Sequence, residues 1–206
     1  MDEKGIEKFG TIHQTIWGDP TRVIKRIVEV SRRMIAARGA VDISIAPDPI
    51  ESITNETGHV LGGVSADGRR RWDVYIHNEE RVGVKYARSV VEECEKHEGG
   101  VVSHAIIVSI EGPTPFTRRE CEGKRVQFFL ARDMCVNIVD HCLVPKHEAV
   151  SEPPPGVKVE ELPRMEATDR IAQYYDWGPG QVVRITRVFG GHEPIPYYRV
   201  VVAGCS

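Results

Sequence analysis

The chain has 206 residues and a formal net charge of -3, with 41% hydrophobic and 28% charged positions, which fits a globular protein of one large domain or two small ones and not a disordered chain. Its slight acidity excludes a global attraction to nucleic acid, so any phosphate contact would come from local clusters: Arg69 to Arg71, Arg118 with Arg119, or the segment from Arg22 to Arg38. Five cysteines, odd in number and irregularly spaced, argue against a disulfide framework; with a charged amino terminus and no run of about 18 apolar residues, a soluble intracellular protein is expected.

The first predicted element is a helix entered at Asp19-Pro20, where Asp can cap and Pro suits the first helical position, and left at Gly39. Val23, Ile24, Ile27, Val30, Met34 and Ile35 form its apolar stripe, and most of its basic residues fall on what reads as a solvated face. From Ala46 to Arg71, Pro47, Pro49, Gly58, Gly62, Gly63 and Gly68 interrupt every periodic run and predict a loop. Trp72, Val74 and Ile76 alternate with Asp73, Tyr75 and His77, as in a half-buried strand. A second helix carries Val84, Ala87, Val91 and Cys94 on one face, with Gly99-Gly100 as its stop. "VVSHAIIVSI", 101–110, is apolar almost throughout and predicts a strand covered on both faces, His104 being a core histidine.

"GPTPFTRRE", 112–120, reads as a rigid exposed loop carrying positive charge, and "VQFFL" and "VNIVDH" as short strands separated by the helical "ARDMC". "SEPPPG", 151–156, predicts a stiff, extended connector. Beyond it, Asp169 can cap a helix running to about Trp177, Gly178-Pro179-Gly180 turns the chain, and "QVVRITRVF" and "PYYRVVV" predict two strands joined by a glycine-containing turn. The expected architecture is an α/β layer to about residue 140 followed by a small α+β unit.

Chemical motifs are sparse. "HCLVPKH", 141–147, could with Cys135 supply metal ligands, but the chain has no C-x-x-C pair, and neighbours His141 and Cys142 would point to opposite faces of a strand. No G-x-S-x-G elbow, Walker loop or G-x-G-x-x-G is present. A two-metal nuclease would need clustered carboxylates and a lysine on adjacent strands, whereas Asp48, Glu122 and Lys124 stand in loop-like segments far apart. These residues favour an assembly or binding role.

In order and spacing, "HCLVPKH", "LPRM", "DRIAQYYDWGPGQVVRITR" and "YYRVV" resemble the carboxy-terminal assembly domain of the fifth subunit shared by the eukaryotic nuclear RNA polymerases, a domain that in archaea makes up a whole polymerase subunit. Upstream, "IIVSIEGPTPFTRR" is similar to the strand and Thr-Pro loop of that family's jaw domain, and "VNIVDHCLVP" to its junction. The resemblance implies an α/β jaw domain over 1–140, a layered, nuclease-like sheet without activity, and a small α+β assembly domain over 141–206. It implies a non-catalytic polymerase subunit with no cofactor and no metal, residing in the nucleus, docked on the largest subunit and other core subunits, with the jaw beside downstream duplex DNA and no membrane contact.

The docking set it implies is His141, Val144, Pro145, His147, Leu162, Pro163, Arg164, Gly180, Gln181, Arg187, Tyr198 and Arg199. Leu143 and Val144 can bury, while Pro145 fixes the chain direction at an interdomain corner. Strands 181–189 and 197–202 would present the docking face; Tyr197 and Tyr198 point to opposite sides, and Tyr198 either anchors the partner with Arg199 or completes the small core. Thr114, Pro115, Arg118 and Arg119 are the DNA-proximal set, meeting phosphate and not base edges. Arg170 in place of the family's Pro, Asp176 in place of a helix-ending Gly, and prolines replacing a helix before Leu162 mark a divergent version, serving one polymerase class or a virus. A metal-dependent nuclease and a free transcription-factor adaptor are the rival readings.

Overall fold

The Asp19 carboxylate accepts a hydrogen bond from the Thr21 N–H at 2.9 Å and Pro20 takes the first position, so helix α1 (Pro20–Ala37) begins at the expected cap, and its predicted stripe is buried from Val23 to Ile35. Its basic face is less solvated than expected. Arg26 Nε donates to the Cys135 carbonyl at 3.1 Å, and Arg38 is buried with a nitrogen 3.6 Å from Met34 Sδ. The computed structural model describes Glu7, Phe9 and residues 19–54, 57–96, 101–188 and 193–204. The chain divides into two units, Met1–Val136 and Asn137–Ser206, against the boundary at 140/141 drawn from the sequence.

In the first unit α1 is followed by β1 (Ala40–Ile45), α2 (Pro49–Thr54), β2 (His59–Ser65), β3 (Arg70–Ile76), β4 (Arg81–Val82), α3 (Val84–Glu95), β5 (Val102–Ser109), β6 (Gly112–Pro113), α4 (Pro115–Glu120), β7 (Val126–Leu130) and α5 (Ala131–Met134). Five strands form one sheet in the order β1-β2-β3-β5-β7, antiparallel from β1 to β3 and parallel from β3 to β7. Helices cover both faces. Tyr75, Ala105 and Ile107 pack with Ala87 and Val90 of α3, while Gly63, paired with Trp72, faces Ile35 of α1.

The segment 46–71 is not a loop; it holds α2, β2 and the start of β3. Its glycines mark close approach inside a strand: a Cβ on Gly63 would lie 2.9 Å from Ile35 Cδ1, and one on Gly62 2.7 Å from Asp73 Oδ1. Gly68, at φ +67°, does make a turn. β3 is buried from Trp72 to Ile76 and not on one face alone, because α1 and α3 lie on opposite sides of it. β5 is buried from Ala105 to Ser109, and the His104 ring stacks on Trp72 at 6.2 Å. The glycine stop at 99–100 lies outside the described residues, as does the glycine turn after Phe189.

"GPTPFTRRE" is a strand and a helix. The Thr114 hydroxyl accepts from the Thr117 N–H at 3.2 Å and Pro115 opens α4, so Thr-Pro is a helix start. "VNIVDH" is likewise no strand: Ile138–Asp140 is a single 3-10 turn, held by Asn137 Nδ2 donating to Asp140 Oδ2 at 3.0 Å.

The second unit continues with β8 (Lys146–Val150), β9 (Arg164–Glu166), α6 (Arg170–Tyr175), β10 (Val182–Arg187) and β11 (Ile195–Val202), forming a sheet in the order β8-β10-β11-β9. β10 pairs antiparallel with β8 and β11, and β9 runs parallel to β11. The proline run is not an extended connector. It turns within this unit, with Val157 N donating to the Pro154 carbonyl at 3.1 Å, and returns Val157, Val159 and Leu162 to the sheet. Asp169 caps α6, and Asp176 ends it in the left-handed region at φ 59°. Leu143, expected to bury, is 83% exposed, because the turn before β8 directs only Val144 onto the core.

Candidate docking surface

Alternation along β10 builds two cores, one on each side of the small sheet. Val183 and Ile185 meet Met165, Val201 and the α6 residues Ile171 and Ala172 on one side; Val182 and Val200 meet Leu162 on the other. Partly buried Tyr198 joins the second core, while the helix side reaches no further than Ile185. Tyr197, paired with Ile185, therefore stays 46% exposed, and the Arg187 guanidinium lies 5.9 Å from its ring. Ile195, paired with Arg187, and the following Val188 are exposed too, so this end of the hairpin presents apolar side chains around one arginine.

A polar row crosses the opposite face. Arg184 is paired with Glu148 on one side and Tyr198 on the other, and Glu148 accepts from Arg184 at 2.9 Å and from Lys146 at 2.8 Å. These two cations hold the Glu148 carboxyl below its ordinary range. His147, paired with Ile185, lies beside the exposed tyrosine's side of the sheet, its Nδ1 donating to the Pro145 carbonyl at 2.7 Å. Burial pushes this imidazole down, with Arg187 and Arg199 adding to the effect and Asp169 and the Pro145 bond opposing it.

Of the expected docking residues, His147, Arg187 and Arg199 come together on one side of the sheet. Val144 and Pro145 are half-buried beside it, and His141 is exposed in the preceding turn, its Nδ1 accepting from Leu143 N at 3.2 Å. Leu162 is buried in the small core, which leaves Pro163 and Arg164 at the surface, with Arg199 donating to the Arg164 carbonyl at 3.4 Å. Gly180, at φ +91°, donates to the Val201 carbonyl, and Gln181 Nε2 donates to that of Val150 at 3.0 Å, so both close the sheet edge. The sequence does not single out Ile195 and Val188. Their signal is a strand extending past the α6 contacts, which needs the position of α6 to be read.

In the first unit, Thr114 and Pro115 set the direction of α4, and Arg118 and Arg119 are exposed on its last turn, beside exposed Phe116. His141 and Cys142 sit in a turn, so the argument from opposite strand faces does not apply to them; among the described residues no three His, Cys, Asp or Glu side chains converge on a metal position. The described helices include none long and apolar enough to cross a membrane.

The family model for the RNA polymerase Rpb5 C-terminal domain matches residues 136–201, nearly the whole of the second unit. The chain is 28% identical over 140 residues to DNA-directed RNA polymerases I, II, and III subunit RPABC1 of Caenorhabditis elegans, a match covering 63% of this chain and 65% of that protein. To DNA-directed RNA polymerase subunit Rpo5 of Archaeoglobus fulgidus it is 37% identical over 76 residues, 34% of this chain and 100% of the archaeal protein. DNA-directed RNA polymerase V subunit 5A of Arabidopsis thaliana is 26% identical over 129 residues, 58% of this chain and 57% of that protein. With its second unit filled by the family's carboxy-terminal domain and an archaeal relative matched over its full length, the chain belongs to the Rpb5 family.

Proposed function

We propose that the chain is a non-catalytic structural subunit of a DNA-directed RNA polymerase in the nucleus, seated on the largest subunit through the Arg187–Ile195 end of the β10–β11 hairpin. The observation that carries this reading is a coincidence of family match and surface: the residues matching the Rpb5 carboxy-terminal domain nearly fill the second unit, and that unit exposes apolar side chains at one hairpin end. Tyr197 with Arg187 is the centre of the contact, an aromatic and an arginine of the kind that dominates interface energies, and His147, Pro163, Arg164 and Arg199 form its rim. Tyr198 is occupied by the small core and supports the surface from behind.

The first unit serves as a jaw beside downstream duplex DNA, with Arg118 and Arg119 meeting phosphate from the end of α4. The test is purification of the tagged full chain from cells that express it. Recovery in fixed one-to-one ratio with the large polymerase subunits is expected. Recovery alone, or in varying ratio with transcription factors, counts against the reading and favours a free adaptor, and divalent-metal-dependent DNA cleavage by the purified chain favours a nuclease.

A further inference from the structure

Exposed charge is unevenly divided over the first unit. Arg32, Arg81 and Arg88 each hold a carboxylate, of Glu29, Glu111 and Glu120. Arg69, Arg70, Lys124 and Arg125 are exposed, and among the described residues none of them has a carboxylate partner. These unpaired cations stand together. β3, β5 and β7 run parallel, and the four residues lie at the amino ends of the outer two strands, where the Arg69 carbonyl accepts from Val102 N at 2.7 Å and the Arg125 carbonyl from Ala105 N at 2.9 Å. At about 5 Å between strands and about 3.3 Å per residue, the Arg70 and Arg125 backbones are roughly 12 Å apart across β5.

Rigid parts hold the cluster. The Arg70 guanidinium lies 5.3 Å from the Trp72 ring, and the ring of His104, paired with Trp72, stacks on the same indole at 6.2 Å. Lys124 ends a turn in which its N–H donates to the Cys121 carbonyl at 3.1 Å. Asp67, Glu95 and Glu122 border the cluster and leave it net positive; Asp67 accepts from Ser65 Oγ and the Arg69 N–H within its own turn. Like charges at this spacing repel, and an anion seated between them converts that cost into attraction.

The surroundings narrow the choice of anion. Val41, Ile45, Phe116 and Val136 are exposed large apolar side chains of the first unit, and among the described residues none stands between Arg69 and Arg125. An acidic peptide would need such anchors. The bases of a single strand would need an open aromatic ring, and Trp72 is 1% exposed. An array of phosphates needs only fixed cations, arginines above all. We propose that the amino end of β3, β5 and β7 is a further DNA-binding face, where Arg69, Arg70, Lys124 and Arg125 hold the phosphate backbone of a duplex without reading its sequence. The identity of the partner rests on the reading of the first unit as a jaw beside duplex DNA. The residues are new to that reading and extend it: Glu122 N donates to the Arg119 carbonyl, and the Lys124 turn follows directly, so the face begins where α4 ends.

The test is titration of a short fluorescent duplex with the full chain, read by anisotropy between about 50 and 200 mM salt. Arg69→Gln, Arg70→Gln, Lys124→Gln and Arg125→Gln together should leave the urea midpoint unchanged and lower the salt slope by about 3 to 4, at about 0.9 per phosphate contact. Lys124→Gln with Arg125→Gln should lower it by about 2. Arg22→Gln with Lys25→Gln removes the same charge at the other end of the sheet, since neighbouring Arg26 bonds the carbonyl of Cys135, beyond the carboxyl end of β7; this pair should leave the slope as it is. An unchanged slope in the fourfold variant, an equal loss in the control pair, or tighter binding of single-stranded DNA or of polyglutamate than of the duplex overturns the proposal. No duplex binding by the full chain at the lower salt overturns it too, while the α4 contact keeps its own test in assembled polymerase. Loss of slope in Arg118→Gln with Arg119→Gln but not in the fourfold variant strikes this face and leaves α4 standing; loss in neither removes both.

Discussion

Asp73 is 1% exposed, and its carboxylate accepts from Arg71 at 2.8 and 3.0 Å and lies 3.1 Å from His59 Nε2. Burial pushes its pKa up, but the hydrogen bonds from His59 and Arg71 outweigh burial and hold it below the ordinary 3.8. A folded-state pKa below the unfolded one means that the stabilisation is complete above that ordinary value and disappears as pH falls through the folded one. Asp73→Asn should remove this acid-sensitive part and cost about 3 kcal/mol at neutral pH by leaving Arg71 unpaired, both read from urea unfolding across pH. Gly62→Ala should cost about 1–3 kcal/mol, since its methyl would fall on Asp73 Oδ1 and overpack the strand, measured in the same way. The two tyrosines of β11 should separate stability from assembly. Tyr198→Ala lowers the chain's own unfolding midpoint, while Tyr197→Ala leaves it nearly unchanged and releases the chain from purified polymerase; the reverse pattern would put the docking face on the other side of the sheet.

At the scale of elements, the helix starts are the legible part. Asp19, Thr114 and Asp169 each cap the helix that follows, through bonds closed within two or three residues, so no distant contact can reverse them. The sequence shows only two of the three as caps; Thr114-Pro115 reads as a loop because α4 spans just six residues and has little periodicity to show. Thr114→Ala should destabilise the first unit by about 1 kcal/mol. Asp176→Gly should stabilise the second by about 1 kcal/mol, because the left-handed cap at φ 59° costs a residue with a Cβ; thermal melts of the single variants check both. The strand at 59–65 is illegible for the converse reason. Gly62 and Gly63 look like turn residues in isolation, and only the approach of Ile35 and Asp73 explains them.

For the whole molecule, the proposed jaw contact predicts that Arg118→Ala with Arg119→Ala in assembled polymerase weakens DNA association evenly across sequences, the salt slope falling by about 0.9 for each phosphate that is no longer neutralised. An unchanged slope would remove α4 from the DNA path. By itself the sequence determined the α1 stripe, the buried strand at 101–110, the Asp19 and Asp169 caps and the family, because these depend on periodicity, local hydrogen bonds and ordered motifs along the chain. The tertiary structure alone decided which of the two adjacent tyrosines is exposed, that Leu162 is buried, and that the proline run turns back onto its own sheet. Each of these depends on what covers a side chain from a distant segment, and a strand's alternation assigns residues to two faces without saying how far the cover on either face extends.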